Sequence, residues 1–303
     1  MSPRQLALVA AALAGLLLLW GAAALVRERV AESGGRFALP AIARSTVDTV
    51  RIARRHDTTV LARRDSASWT ANGYAAAPAA MKELLDALAD STRRSELVAE
   101  RSASHADLGV DSGGSRVRIA GRSGALAEIV LGQRSPDLDG GYMRMAKDSA
   151  VWLVRGGLAG ALERGLDEWR DKRIGAVPAD SVSRIEVARG RRSYALRRSD
   201  GKWSFESGAA GDSVAVAEFL GAFGEVEAAG FASAAQADST RFTRPDRRVR
   251  LLRADGTAIL TLAFDSMPAG FWARGDSAGV VYRMENWTVD RLTPADSTLR
   301  ARR

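Results

Sequence analysis

The 303-residue sequence contains no cysteine. That absence excludes a disulfide framework, a cysteine nucleophile, a thiolate zinc site and a lipidated cysteine. It leaves the redox compartment open, because a chain of this length buries a sufficient core without covalent staples. Histidine is scarce: His56 and His105 are the only two, and no carboxylate cluster accompanies them, so no metal site is expected. Lysine is also rare. Arginine supplies most of the 44 basic residues and the net charge of +8. These arginines are dispersed among acids along the whole chain. No basic block with interleaved aromatics appears, so the charge does not predict a nucleic-acid partner.

One long apolar run is present. Leu6 to Val26 carries no charge, and its length matches the roughly 20 residues that a membrane-spanning helix needs. The apolar region of a cleaved signal peptide is shorter, about 7–15 residues. An uncleaved N-terminal transmembrane helix is therefore expected, although Ala22-Ala23-Ala24 offers small residues where a peptidase acts and leaves cleavage open. Arg27, Arg29 and Arg36 outnumber Arg4, which by charge alone would leave the rest of the chain in the cytoplasm. Long following domains largely escape that rule, so charge does not set the direction.

The remainder repeats itself. Val47–Ile52 and Val182–Val187 begin equivalent alternating strands. Val60–Arg64 and Tyr194–Arg198 follow as second strands, and Trp69 and Trp203 come next. Met81, Leu84, Leu85 and Leu88 share one helical face, as do Val216, Phe219, Leu220 and Phe223. Arg116–Ile119 corresponds to Arg248–Leu251, and Leu126–Leu131 to Ala258–Leu262. Tyr142–Met145 with Val151–Val154 form an expected hairpin, matched by Phe271–Arg274 with Val280–Met284. A helix over Leu158–Trp169 is expected to close the first copy, and a shorter one around Trp287–Leu292 the second. The expected fold class is α+β: an N-terminal transmembrane helix followed by two tandem, internally duplicated α+β repeats with mostly antiparallel sheets. The expected organisation is a short tail (1–5), the transmembrane helix (6–26), a linker (27–40), repeat 1 (41–173), repeat 2 (174–295) and a basic tail (296–303).

Three motifs suggest chemistry and each has a plainer reading. Gly275-Asp276-Ser277-Ala278-Gly279 matches the nucleophile-elbow pattern, which would make Ser277 a hydrolase serine. It lies between two expected strands, though, and an elbow needs a strand followed by a helix. Asp137-Leu138-Asp139-Gly140 suggests a calcium loop but lacks the remaining ligands. Gly156-Gly157-Leu158-Ala159-Gly160 lacks the lysine and hydroxyl of a phosphate loop. The recurrent Asp-Ser pairs, such as Asp65-Ser66 and Asp212-Ser213, suit turns and helix caps. No catalytic, cofactor-binding or metal-binding residue is assigned.

Tyr142-Met143-Arg144-Met145, Val151-Trp152-Leu153-Val154 and Trp169-Arg170-Asp171-Lys172-Arg173-Ile174 resemble the bacterial family known as domain of unknown function 4340. There a Y-x-R strand precedes a V-Y-L-V strand and a helix ends in L-R-D-K-R; Trp169 replaces the usual leucine. Asp107–Asp111, Asp180–Ile185 and Asp200–Trp203 share the likeness. The resemblance implies a single-span protein of the inner (cytoplasmic) membrane with its bulk outside the cytoplasm. It also implies an ABC-type permease and an auxiliary protein, similar to those of gliding systems, as partners. The expected function is a non-catalytic accessory subunit acting by protein–protein binding, with the membrane contacted through the N-terminal helix. An envelope-polymer or lipid-binding module is the alternative, and a serine hydrolase using Ser277 a third. Arg170, Asp171, Lys172 and Arg173 are the candidate partner-binding residues; their plainer role is a basic helix C-terminus linking the repeats.

Overall fold

Thr49–Ala53 alternates so that Val50 and Ile52 are buried while Arg51 points to solvent. A period of two places successive side chains on opposite sheet faces, and that pattern recurs along most of the chain. The computed structural model describes residues 36–276 and 279–301. The chain divides into two units between Asp171 and Lys172. The main core of the first draws on residues from Phe37 to Trp169, and that of the second on residues from Val177 to Leu299.

The first unit contains β1 (Thr49–Ala53), β2 (Thr58–Arg63), β3 (Trp69–Ala71), β4 (Tyr74–Ala75), β5 (Ser95–Ala99), β6 (Ser115–Gly121), β7 (Gly124–Arg134), β8 (Gly140–Met145) and β9 (Val151–Arg155). They form one sheet in the order β4-β3-β2-β1-β6-β7-β8-β9-β5, with every pairing antiparallel. The Pro78–Ala89 helix lies between β4 and β5. Proline at its first turn loses no hydrogen bond. Ala80, Met81, Leu84, Leu85 and Leu88 form its buried face, while Lys82 and Asp86 pair at 2.9 Å. Arg93 Nη2 donates to the carbonyls of Ala87 (2.8 Å) and Leu88 (3.3 Å), which satisfies acceptors left over at the helix end.

The second unit contains β10 (Arg173–Gly175), β11 (Arg184–Arg189), β12 (Arg192–Ser199), β13 (Lys202–Phe205), β14 (Val226–Glu227), β15 (Gly230–Phe231), β16 (Arg247–Leu252), β17 (Ala258–Met267), β18 (Gly270–Arg274) and β19 (Tyr282–Met284). Its main sheet runs β13-β12-β11-β16-β17-β18-β19-β15, and β10 pairs with β14 in a separate two-stranded sheet. The Ser213–Gly221 helix is capped by Asp212, whose carboxylate accepts the N–H groups of Val214 and Ala215 at 2.9 and 3.1 Å. Val216, Phe219 and Leu220 face the core.

From β3 to β5 and from β13 to β15 the two main sheets correspond strand by strand, and β4 has no counterpart in the second. Val50 pairs with Leu61 and Ile119; Ile185 pairs with Leu196 and Leu251. Trp69 and Trp203 are both buried at 7% exposure. The loops differ. Asp200 and Gly201 turn tightly at positive φ between β12 and β13. The equivalent β2–β3 connection is longer and is held by Asp65, whose carboxylate accepts the N–H groups of Ala67 and Ser68.

Two expectations need correction. The class expected was α+β headed by a spanning helix. The described residues are mostly antiparallel sheet, in three sheets, and none of their helices is long and apolar enough to cross a membrane. The Pro78–Ala89 helix, at 12 residues, is well short of a bilayer's roughly 20. Its apolar residues occupy one face only. The run Leu6–Val26, to which the span was assigned, lies outside the described residues. The second correction concerns Leu158–Trp169. It is two short helices, Gly157–Glu163 and Leu166–Trp169. Arg54 Nη2 reaches in to bond the carbonyls of Leu162 (3.0 Å) and Arg164 (2.5 Å), so the first helix ends there. The second starts at Gly165, whose N–H donates to Glu168 Oε2 at 2.8 Å.

Candidate functional site

Arg170 closes the Leu166–Trp169 helix as its C-cap, donating its N–H to Leu166 O at 3.2 Å, and the chain runs on from there to β10. Arg170 has extended backbone angles, φ −85° and ψ 142°. It makes an antiparallel bridge with Ala76, and Asp171 N–H donates to Ala75 O at 2.8 Å. The Arg170 side chain is buried at 8% exposure, with its guanidinium carbon 3.9 Å from the centroid of Tyr74. A cation over an aromatic face is stabilised by the ring quadrupole. Arg170 therefore belongs to the packing of the first unit and offers little to a partner. Trp169, before it, is fully buried and donates its ring N–H to Arg164 O at 3.1 Å.

Lys172 and Arg173 belong to the second unit. Lys172 O accepts the N–H of Ala228 at 2.9 Å. Arg173 in β10 is register-paired with Glu227 in β14, and its side chain is exposed. These pairings hold the segment that forms one wall of a groove of about 650 Å³. Glu225, Glu227 and Ala229 line that wall, and Glu285, Trp287 and Arg291 line the other. The second wall is the short helix Asn286–Leu292. Val289 and Leu292, three apart, turn into the core. Trp287 and Arg291, four apart, share the outer side. Trp287 is 62% exposed, and the Arg291 guanidinium carbon sits 5.8 Å from its ring centroid. An indole and an arginine side by side are the residue types that anchor protein interfaces. The signal for this site in the sequence is the Val289–Leu292 spacing, which places Trp287 off the buried face.

A second cavity, of about 500 Å³, lies on the second unit near β11 and β12. It is rich in arginine but largely self-neutralised. Arg184 pairs with Glu186 (3.0 Å) and Glu206 (2.8 Å), Arg250 with Glu186 (2.8 Å), and Arg300 with Asp296 (2.8 Å). Tyr194 donates its hydroxyl to Pro294 O at 2.8 Å and packs against Phe205. Burial pushes the phenol pKa up, so Tyr194 stays a neutral donor.

The remaining motifs have structural employment. Asp137 accepts from Ser135 Oγ (2.5 Å), from the N–H of Asp139 (3.2 Å) and from Arg155 (2.7 Å). These bonds, the Ser135 hydroxyl first, hold its carboxyl far below the usual range. Gly156 opens its helix at φ 94°. His105 Nε2 lies 2.8 Å from Ser149 O, and no group of metal-ligating residues occurs among the described residues. Gly275 and Gly279 flank the connection from β18 to β19, strand to strand, with Asp276 accepting the Thr261 N–H at 3.0 Å. The next described element after β18 is the strand β19, whereas a nucleophile elbow leads into a helix. Ser277 itself lies outside the described residues.

Residues 69–245 match the family described as Domain of unknown function (DUF4340). The match covers more than half of the chain, which therefore belongs to this family. No curated protein and no solved structure matches it.

Proposed function

We propose that this protein is a non-catalytic accessory subunit of an ABC-type transport or gliding-related membrane complex. It works outside the cytoplasm by protein–protein binding, and its contact surface is the groove beside Trp287. The observation that supports binding is the exposure of Trp287, stacked with Arg291 at the mouth of a groove whose other wall is fixed by the family's Lys172-Arg173 segment. An indole left 62% in water on an anchored helix loses apolar burial, and a partner's surface would restore it. The choice of complex comes from the family resemblance.

Co-purification of the full chain from mildly solubilised membranes tests the proposal. The expected result is recovery of a permease or auxiliary subunit, reduced for Trp287→Ala at unchanged expression. Recovery of the chain with no transport subunit overturns the choice of complex. Equal recovery by the Trp287→Ala variant overturns the choice of surface.

A further inference from the structure

We infer that the outer sheet face of the first unit, at Arg51, Arg116 and Arg118, binds the phosphate-bearing surface of an anionic phospholipid bilayer. This inference is independent of the groove beside Trp287. Arg51 and Arg118 stand directly opposite each other on β1 and β6, and Arg116 lies two residues along β6 on the same face. Opposed residues in antiparallel strands have Cβ atoms about 5 Å apart, and like charges so placed repel. All three side chains are exposed. None makes an ion pair within 4.0 Å among the described residues. The only acid in β1, β2, β6 and β7 is Glu128, opposite Arg118 on the side away from Arg51. Arg144 adds charge to this face, but its guanidinium is engaged by the carbonyls of Val110 (2.7 Å) and Ala146 (3.0 Å).

The second unit serves as an internal control. By register, Arg51, Arg116 and Arg118 correspond to Glu186, Arg248 and Arg250. There Glu186 takes Arg250 at 2.8 Å and Arg184 at 3.0 Å. The same face built twice thus carries a carboxylate paired with its arginine neighbours in one unit and an arginine in that place in the other. An external anion would relieve the repulsion in the first. The chemistry favours lipid phosphate over an acidic protein. A protein interface needs an apolar centre, and none of the large exposed apolar side chains among the described residues lies on β1, β2, β6 or β7. A charged headgroup layer binds cations without one, and the guanidinium fork suits phosphate oxygens.

The test is flotation of the full chain with vesicles of phosphatidylcholine, alone or mixed with phosphatidylglycerol. The native chain is compared with a variant carrying Arg51→Gln, Arg116→Gln and Arg118→Gln. The readout is the gain in binding on adding the anionic lipid, so insertion through any apolar segment cancels. The native chain should show a gain that shrinks with salt. The variant should lose roughly fivefold per arginine, on the order of a hundredfold in all at low salt. An unchanged gain in the variant overturns the inference. So does retention of the native chain on an acidic peptide with no gain on anionic vesicles, which would point to a protein partner. Should the triple variant fail to fold, Arg51→Glu, which copies the second unit, gives the same reading: a reduced gain supports the assignment and an unchanged one overturns it.

Discussion

Across the first unit's sheet, one row of outward residues reads Arg51, Arg118, Glu128; across the second, the equivalent row reads Glu186, Arg250, Thr261. One position inward, the rows are Val50 with Ile119 and Ile185 with Leu251, all buried. The inner row is constrained because a one-residue slip would turn every apolar side chain to water. The outer row pays no such penalty, so its charges are free to differ between copies. The closing segments agree where they carry the core: Trp169 O accepts the Ala77 N–H, Leu299 O accepts the Asp212 N–H, and both side chains are buried. Conserved architecture in this chain therefore identifies the core, and divergence between its copies identifies the surfaces free to acquire a role.

Substitutions can break this comparison. Trp169→Ala should have the largest effect, destabilising the first unit by about 3–5 kcal/mol. Hydrogen exchange should show loss of protection confined to residues before Lys172; an equal loss in the second unit would mean that the two cores do not unfold separately. Trp287→Ala should leave stability within about 0.5 kcal/mol and weaken partner binding by about 2 kcal/mol. A variant that unfolds early would identify Trp287 as a packing residue.

Smaller effects concern the sheet faces. Glu186→Arg would recreate the first unit's like-charge row in the second and should cost about 1 kcal/mol. The loss should diminish in high salt, and chemical denaturation with and without salt measures it. Acid should weaken both units. Asp137 in the first and Asp246 in the second are held below the ordinary carboxylate range, chiefly by the hydroxyls of Ser135 and Ser266. Because folding lowers these pKa values, their stabilisation is complete at neutral pH. It is lost as the pH falls below about 4, the unfolded value, toward the folded one. Asp246→Asn should blunt the acid sensitivity of the second unit alone; a thermal melt against pH that is unaltered would refute the assignment. Arg51→Glu should have the smallest effect, a gain of a few tenths of a kcal/mol from a new pair with Arg118.

Much of this pattern is legible in the residues themselves. Met81, Leu84, Leu85 and Leu88 declare a helix face by spacing alone, and all four are buried. Val50 and Ile52 do the same for a strand. The edge strands are not legible. β5 reads Ser-Glu-Leu-Val-Ala and β15 is only Gly230-Phe231, too short or too mixed for periodicity to register. Nor is the break at Arg164 visible, because Arg54, which bonds the carbonyls there, is 108 residues from Leu162. The Arg170–Arg173 segment reads as a helix end from its basic charge, and Arg170 does cap the Leu166–Trp169 helix, but its bridge to Ala76 and the pairing of Arg173 with Glu227 depend on residues far away in sequence. Of the candidate site, Lys172 and Arg173 are visible in the sequence through the family likeness. For Trp287 the sequence offers only the Val289–Leu292 spacing, and its 62% exposure is what makes it a candidate.

The sequence by itself determined that the chain repeats, which residues turn inward, and that no thiol chemistry is possible. Those properties follow from residue type and local period, which act over a few positions. Tertiary structure alone decided that Arg170 is buried on Tyr74 while Arg51 faces Arg118. It also decided that Glu186 pairs with Arg184 and Arg250 and that Trp287 stands open beside β14. Each of these depends on which distant strand or helix lies alongside, and pairing across a sheet is set by the whole fold.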